Sequence, residues 1–282
     1  MLYVIVPVHN RAAVTARFLD AMSRQTFHDY QVLLVDDGCT DNTVSIACHL
    51  LPQRHLAVLS GNGHLWWAGA LQMAYDHVRS LALPDADSVL IINDDVKVEP
   101  DFLARGCAVL AEHPGACIQA IGVDTLSGSV DRGAIADLTR LDFRAAQPGE
   151  HVNCLSTRGL LMSADTFIRS GGFHPRWLPH YLSDYEFTIR LQRRGVELLV
   201  DERFHMQVEL ELTGLNRPSS NTLRGVWRES LSNRAKFNPK HWSAFAVLAC
   251  PPRIAASHIL RIWLRFGRSL LTAAWSRQGV QS

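Results

Sequence analysis

Over the first 123 residues short apolar runs alternate with helical patterns. Leu2–Val8 is apolar throughout and predicts a buried strand; Val14, Phe18, Ala21 and Met22 then recur at helical spacing. Gln31–Val35 repeats the strand pattern and stops at Asp36-Asp37-Gly38, after which Thr40-Asp41-Asn42-Thr43 caps a second helix. His55–Leu59 predicts a third strand, followed by Gly61-Asn62-Gly63 and a helix over Ala70–Leu81. Ser88–Ile92 predicts a fourth, followed by a helix over Asp101–Glu112 and a strand over Ile118–Val123. Such alternation implies parallel strands joined by right-handed crossovers, an α/β sheet covered on both faces. Beyond Val123 it stops. Residues 124–153 are polar and predict a long surface loop; Ser156–Met162 is strand-like and Ala164–Ser170 a short helix. Ser183-Asp184-Tyr185-Glu186 opens a helix over Phe187–Arg194 that stops at Gly195, and Val196–Val200 is a further strand.

Polar residues collect where the strands end: His9-Asn10-Arg11, Asp36-Asp37, Gly61-Asn62-Gly63 and Asn93-Asp94-Asp95. Ligands on parallel sheets sit outside the carboxyl ends of the strands, so four polar ends on one edge point to a site. Two roles fit Asp94-Asp95. One is a turn that caps the helix near Pro100-Asp101; the other is a hard-oxygen seat for Mg²⁺ or Mn²⁺ beside a phosphate.

Composition narrows the class. With 282 residues, 47% hydrophobic and 20% charged, the chain can bury a full core. The net charge of +1 hides an asymmetry: residues 217–282 hold eleven Lys/Arg against Glu229 alone, a balance of +10 that leaves −9 for residues 1–216. That division predicts an acidic catalytic domain over 1–216 and a basic helical extension over 217–282. The six cysteines form no C-x-x-C pair and predict small buried residues in a reducing compartment. The first residues lack a basic leader, and no uncharged apolar span is long enough to cross a membrane, so a cytoplasmic location is expected.

Five segments, "VIVPVHNR", "VLLVDDGCTDNT", "INDDV", "LLMSADTFIRSGGF" and "SDYEFTIRLQRRG", come in an order and spacing that resemble the family 2 glycosyltransferases over roughly residues 1–212. "GNGHLWWAGALQMA" is similar to a rhamnosyltransferase-like subgroup from bacterial surface-polysaccharide synthesis. The resemblance implies the GT-A fold, a Rossmann-like mostly parallel sheet flanked by helices, and inverting transfer from a nucleotide-diphosphate sugar to a carbohydrate or lipid-linked saccharide. It also implies roles. Asp37 would accept the imide N–H of the base, with Pro7, His9, Asn10, Arg11 and Gly63 beside the donor. Asp95 would hold Mg²⁺ or Mn²⁺ with Asp94 in support, although Asn93 stands where the family's D-x-D begins. Asp184 falls on the catalytic base; Glu186, two residues on and off Asp184's helix face, would bind acceptor or fix the loop. His205 is aligned with a late metal-binding histidine. Trp66 and Trp67 cannot both face one core, which leaves at least one to stack on a sugar or base in the cleft. Cys39 replaces the family's usual Ser.

In the basic extension, Ile259, Ile262, Trp263, Phe266 and Leu270 share one helical face, and Arg261, Arg265 and Arg268 another. Two placements fit: an anionic membrane surface on the inner face of the cell membrane, or packing on the catalytic domain or on a second copy of the chain. No nucleic-acid module lies beneath it. A sugar nucleotidyltransferase or dehydrogenase would need glycines after the first strand, where "PVHNR" has none. A catalytically inactive membrane scaffold has no need to retain Asp37, Asp95 and Asp184 together.

Overall fold

A computed structural model describes residues 1–81, 83–84, 86–209 and 223–275. Strand β1 (Leu2–Val8) runs parallel to β2 (Tyr30–Asp36) on one side and to β4 (Ser88–Ile91) on the other, and β3 (Leu56–Ser60) closes that edge beside β2. Alternation along β1 divides the core. Leu2, Val4, Val6 and Val8 pack with Phe18, Leu19 and Met22 of helix α1 (Ala12–Ser23), in a layer that α2 (Thr43–Leu50) and α4 (Phe102–Glu112) join through Ala47 and Phe102. Tyr3 and Ile5 point to the opposite face, against Leu71, Ala74 and Val78 of α3 (Trp66–Ser80). Burial on both faces is why these strands read as unbroken apolar runs.

The nine-stranded sheet also contains β5 (Val96–Lys97), β6 (Cys117–Asp124), β7 (Val130–Asp131), β10 (Leu160–Ser163) and β11 (Leu198–Val208), in the order β3-β2-β1-β4-β10-β6-β11-β5, with β7 paired to β6. β10 lies antiparallel between β4 and β6, so the sheet is mostly rather than wholly parallel. Short β5 pairs antiparallel with the end of β11. The chain therefore passes from the middle of the sheet to its far edge directly through Asn93-Asp94-Asp95, which places both carboxylates above the sheet's carboxyl edge.

Four expectations need correction. Helix α3 starts at Trp66, not Ala70, and β11 continues to Val208, not Val200. Residues 124–153 are not all loop: they supply β7 and the hairpin of β8 (Ala134–Asp137) and β9 (Asp142–Ala145). Segments of two to four residues carry too little alternation to be recognised, and the buried members of β8 are alanines. Cys117, Cys154 and Cys250 are buried as expected, but Cys48 is exposed.

Helices α5 (Ala164–Arg169) and α6 (Ser183–Arg193) follow β10. The expected domain boundary at 216/217 lies outside the described residues. Beyond it come α7 (Leu223–Ser230), α8 (Pro239–Ala249) and α9 (Pro252–Trp275). Asn238 caps α8 by accepting the Lys240 N–H at 2.9 Å, with Pro239 in the first turn. Phe245 of α8 packs on Phe143 of β9 at 5.7 Å between centroids, joining the C-terminal helices to the β8–β9 hairpin. No helix among the described residues is long and apolar enough to cross a membrane.

Candidate active site

The ends of β1 and β2 lie side by side, Val8 opposite Asp36. Asn10 takes the left-handed conformation (φ 51°), which Asn tolerates, and its Oδ1 accepts the N–H groups of Thr40 at 2.7 Å and Asp41 at 3.3 Å. Nδ1 of His9 is 2.6 Å from the Asp37 carbonyl oxygen. A carbonyl only accepts, so Nδ1 carries the proton and Nε2 is free to accept from Asn10 Nδ2 at 3.3 Å. Pro7 pairs with Val35 in β1 beyond the last residue of β4, where its missing N–H interrupts no ladder on that side.

Asp37 has a second task that the sequence does not show. Its buried carboxylate accepts the N–H groups of Leu65 and Trp66, each at 3.1 Å, and so caps α3 from another loop. A carboxylate has about four acceptor positions, which leaves room for a base N–H as well. The cap depends on close backbone approach: a Cβ on Gly38 (φ +69°) would stand 2.8 Å from Gly63 Cα and N. Trp66 holds φ at 58°, a strained value for a bulky residue, with its ring edge-on to His180 at 6.0 Å. Trp67 turns the other way, packs on the α3 face of the core and donates Nε1–H to Thr157 Oγ1 at 3.1 Å. The tryptophan pair is thus split, with Trp66 beside the site and Trp67 in the core. Burial, and after it the charge of Arg234, lowers the pKa of His180, whose buried Nδ1 has no partner among the described residues.

Asp94 and Asp95 are 3% and 6% exposed. Arg11 spans them, its guanidinium 3.4 Å from Asp94 Oδ1 and 3.3 Å from Asp95 Oδ2. Thr15, one helical turn beyond Arg11, donates to Asp94 Oδ2 at 2.7 Å. Burial raises the Asp94 pKa, while Arg11 and Thr15 pull it down. Asp95 Oδ1 is buried without a partner among the described residues, a state that normally costs about 1–3 kcal/mol. An orphaned carboxylate oxygen beside a second carboxylate fits a divalent cation. A cavity of about 350 Å³ lies against the pair, with Arg17 and Lys97 on its walls. His205 is not part of this group: its partners are the Glu202 carbonyl at 2.9 Å and Arg105 at 3.2 Å. His205 is an exposed position within β11, whereas Asp94 and Asp95 lie in the loop between β4 and β5.

Asp184 stands in the first turn of α6, after Leu182 in a left-handed conformation (φ 69°). Its Oδ1 accepts the Tyr185 N–H at 2.9 Å, and it faces a cavity of about 820 Å³. Burial pushes its pKa up to about 6; Asp131 adds to the shift, and backbone N–H groups and Arg158 oppose it. Glu186 fixes the loop. It is 2% exposed, with Arg190 Nε 2.8 Å from Oε1 and Nη2 3.1 Å from Oε2, while the same guanidinium holds the carbonyls of Ser170 and Gly172. Of the two roles expected for Glu186, acceptor binding or holding the loop, this buried pairing favours the second.

Sequence reasoning missed Thr15 and Arg158. Thr15 was detectable, since Arg11 and Thr15 are four apart and share a helix face. Arg158 gave no signal: its Nε is buried and unpartnered among the described residues, near Asp184 only through the fold.

Residues 3–167 match the family described as Glycosyl transferase family 2. The chain belongs to that family. A glycosyltransferase of PGL/p-HBAD biosynthesis from Mycobacterium bovis is 31% identical over 192 residues, covering 67% of this chain and 69% of its own, and its Mycobacterium tuberculosis counterpart matches equally. Among solved structures, S. aureus TarS 1-349 with UDP-GlcNAc aligns at TM-score 0.64 with 15% identity, covering 99% of this family 2 chain and 92% of its own. The Pyrobaculum calidifontis mannosyltransferase PcManGT, solved with GDP-Man and Mn²⁺, aligns at 0.57 with 17% identity, covering 99% and 74%. The fold of this family 2 glycosyltransferase is GT-A.

Proposed function

We propose that this glycosyltransferase moves a sugar, with inversion, from a nucleotide-diphosphate donor to a saccharide hydroxyl of a bacterial surface glycan, with Asp184 as the general base. One observation carries the proposal: a carboxylate with its pKa near 6 on the wall of a cavity large enough for a sugar acceptor. Such a group is ionised at neutral pH yet basic enough to take a hydroxyl proton as the anomeric bond forms. Inversion requires that base on the face opposite the leaving diphosphate. His9, Asn10, Arg11, Asp37, Gly63 and Trp66 would form the donor's side, with Arg11, which bridges Asp94 and Asp95, as a cation for the departing phosphates.

Asp95, with Asp94, would hold Mg²⁺ or Mn²⁺; when bound, the cation neutralises charge developing on the leaving diphosphate. PcManGT, with Mn²⁺ in its solved complex, supports this, and so does the orphaned Asp95 oxygen. Asp95→Ala should abolish turnover, and donor binding followed by calorimetry should lose its dependence on Mn²⁺. Full activity in EDTA would overturn the metal role. A deoxyhexose is the first donor sugar to screen, on the likeness of "GNGHLWWAG" to rhamnosyltransferase-like enzymes.

Peripheral attachment to an anionic membrane forms part of the proposal. The stripe of Ile259, Ile262, Trp263, Phe266 and Leu270 does not supply it, because Phe266 is buried against Trp227 at 5.3 Å and Trp263 donates Nε1–H to Ser243 at 3.1 Å. A different row, Leu260, Leu264 and Leu271, is exposed beside Arg261, Arg265 and Arg268. Apolar and cationic rows side by side suit an anionic interface.

A further inference from the structure

The cavity that Asp184 faces has a second wall, to which the C-terminal helices contribute. Beyond Asp184 it is lined by Phe143, Tyr185, Trp242, Ile262 and Phe266, from β9, α6, α8 and α9. Phe143 lies 5.1 Å from Tyr185 and 6.1 Å from Trp242 between centroids, so the rings form one continuous apolar surface. At about 820 Å³ the space exceeds what one sugar ring beside the base requires. Polar groups flank that aromatic surface on both sides. Ser156 Oγ, on the Asp184 side, is buried without a partner among the described residues and is available to a hydroxyl. Lys236 and Arg265 belong to the helical side. The helix that lines the cavity through Ile262, Arg265 and Phe266 also exposes Leu260, Leu264 and Leu271.

From this juxtaposition we infer an aglycone subsite: the acceptor is an amphiphile whose sugar hydroxyl meets Asp184 and Ser156 while an alkyl or aryl group, joined to that sugar, lies among Phe143, Trp242, Ile262 and Phe266. A free oligosaccharide would leave the apolar faces of those rings against hydroxyl groups, whereas an alkyl or aryl group would cover them. The proposal rests on Asp184 as the reacting end of the acceptor site. It gives the C-terminal helices a role in substrate choice, separate from any role in holding the enzyme at a membrane.

The test is binding of methyl, butyl, hexyl and octyl β-glucosides to the full chain, below micelle-forming concentration, followed by tryptophan fluorescence and calorimetry. Each methylene seated in the cavity should tighten Kd by roughly threefold to fourfold. Ile262→Trp, which fills the cavity, should flatten that dependence on chain length. Phe237→Ala alters a residue that lines the rim and is 72% exposed, so it leaves the fold intact, and it should reduce the dependence. An unshifted melting temperature would show that the Ile262 variant is folded. Equal Kd for methyl and octyl glucoside, or a chain-length dependence that persists in both variants, would overturn the subsite. Chain-length-dependent binding without sugar transfer from any donor would instead count against the role of Asp184 and leave the subsite standing.

Discussion

Asp184 is the residue on which activity and stability should diverge. Its pKa near 6 predicts that kcat/KM falls tenfold per pH unit below about 6, as the base takes up its proton. Asp184→Asn keeps the size and the contact with the Tyr185 N–H but cannot accept a proton, so turnover should drop by about 10²–10⁴-fold with donor binding preserved. Stability should move the other way. The folded pKa lies above the ordinary carboxylate value of 3.8, so the folded state binds the proton more tightly than the unfolded one. The associated stabilisation is complete below about pH 3.8 and is lost as pH rises through about 6. Asp184→Asn should therefore raise the melting temperature at pH 7.5 and do little at pH 4; a lower Tm at both would show that the carboxylate is held for structure. Arg11, Thr15 and Asp37 show the limit of single-residue reasoning. Arg11 and Asp37 were singled out by type and Thr15 was not, and the partners of all three lie 28 to 84 positions away.

At the scale of elements, the site depends on two joints. The first is the contact of the β2 and β3 loops through Gly38 and Gly63. Gly38→Ala adds a Cβ 2.8 Å from backbone atoms at φ +69°, so it should cost at least ~1–3 kcal/mol, read as a lower urea midpoint. Weaker donor binding should accompany it, because Asp37 and the start of α3 shift with that loop. The second joint is the Glu186–Arg190 pair, which ties α6 to the turn before it. Breaking a buried pair from one side costs about 3–5 kcal/mol, so Arg190→Met should destabilise strongly. Arg190→Met combined with Glu186→Leu should recover much of that loss. If Glu186 bound acceptor instead, the double variant would recover stability and lose acceptor affinity by an order of magnitude or more. Both joints hold strained residues close to reacting groups, Trp66 beside the first and Leu182 beside the second.

On the scale of the whole molecule, the charge asymmetry and the C-terminal helices make a prediction about location. Each Arg near an anionic surface contributes about 1 kcal/mol, screened within a Debye length of roughly 8 Å at physiological salt. Co-sedimentation with anionic vesicles should therefore weaken as salt rises. Leu260→Asp with Leu264→Asp should abolish the salt-resistant part, with no change in melting temperature because both side chains are exposed. Equal recovery of wild type and double variant with anionic vesicles would rule out the membrane role. Deleting α9 is a poorer test, since it would uncover the buried surface around Phe266 and Trp227.

The sequence by itself determined what depends on neighbours along the chain. Strands buried on both faces had to be continuous apolar runs, so β1 to β4 and their alternation with helices were legible, as were the polar residues at the strand ends. Asp184 at the opening of a helix was legible for the same reason. Tertiary structure alone decided what depends on distant partners: the antiparallel insertion of β10, the two-residue strand β5 at the far edge, and the capping of α3 by Asp37. It also separated His205 from the acidic pair and packed part of the α9 stripe, Phe266 above all, against neighbouring helices. A helical stripe specifies that one face will be covered, but the same apolar residues satisfy a membrane or a neighbouring helix. Only the packing of α9 on α8 and α7 made that choice, and in making it enclosed the aromatic wall opposite Asp184.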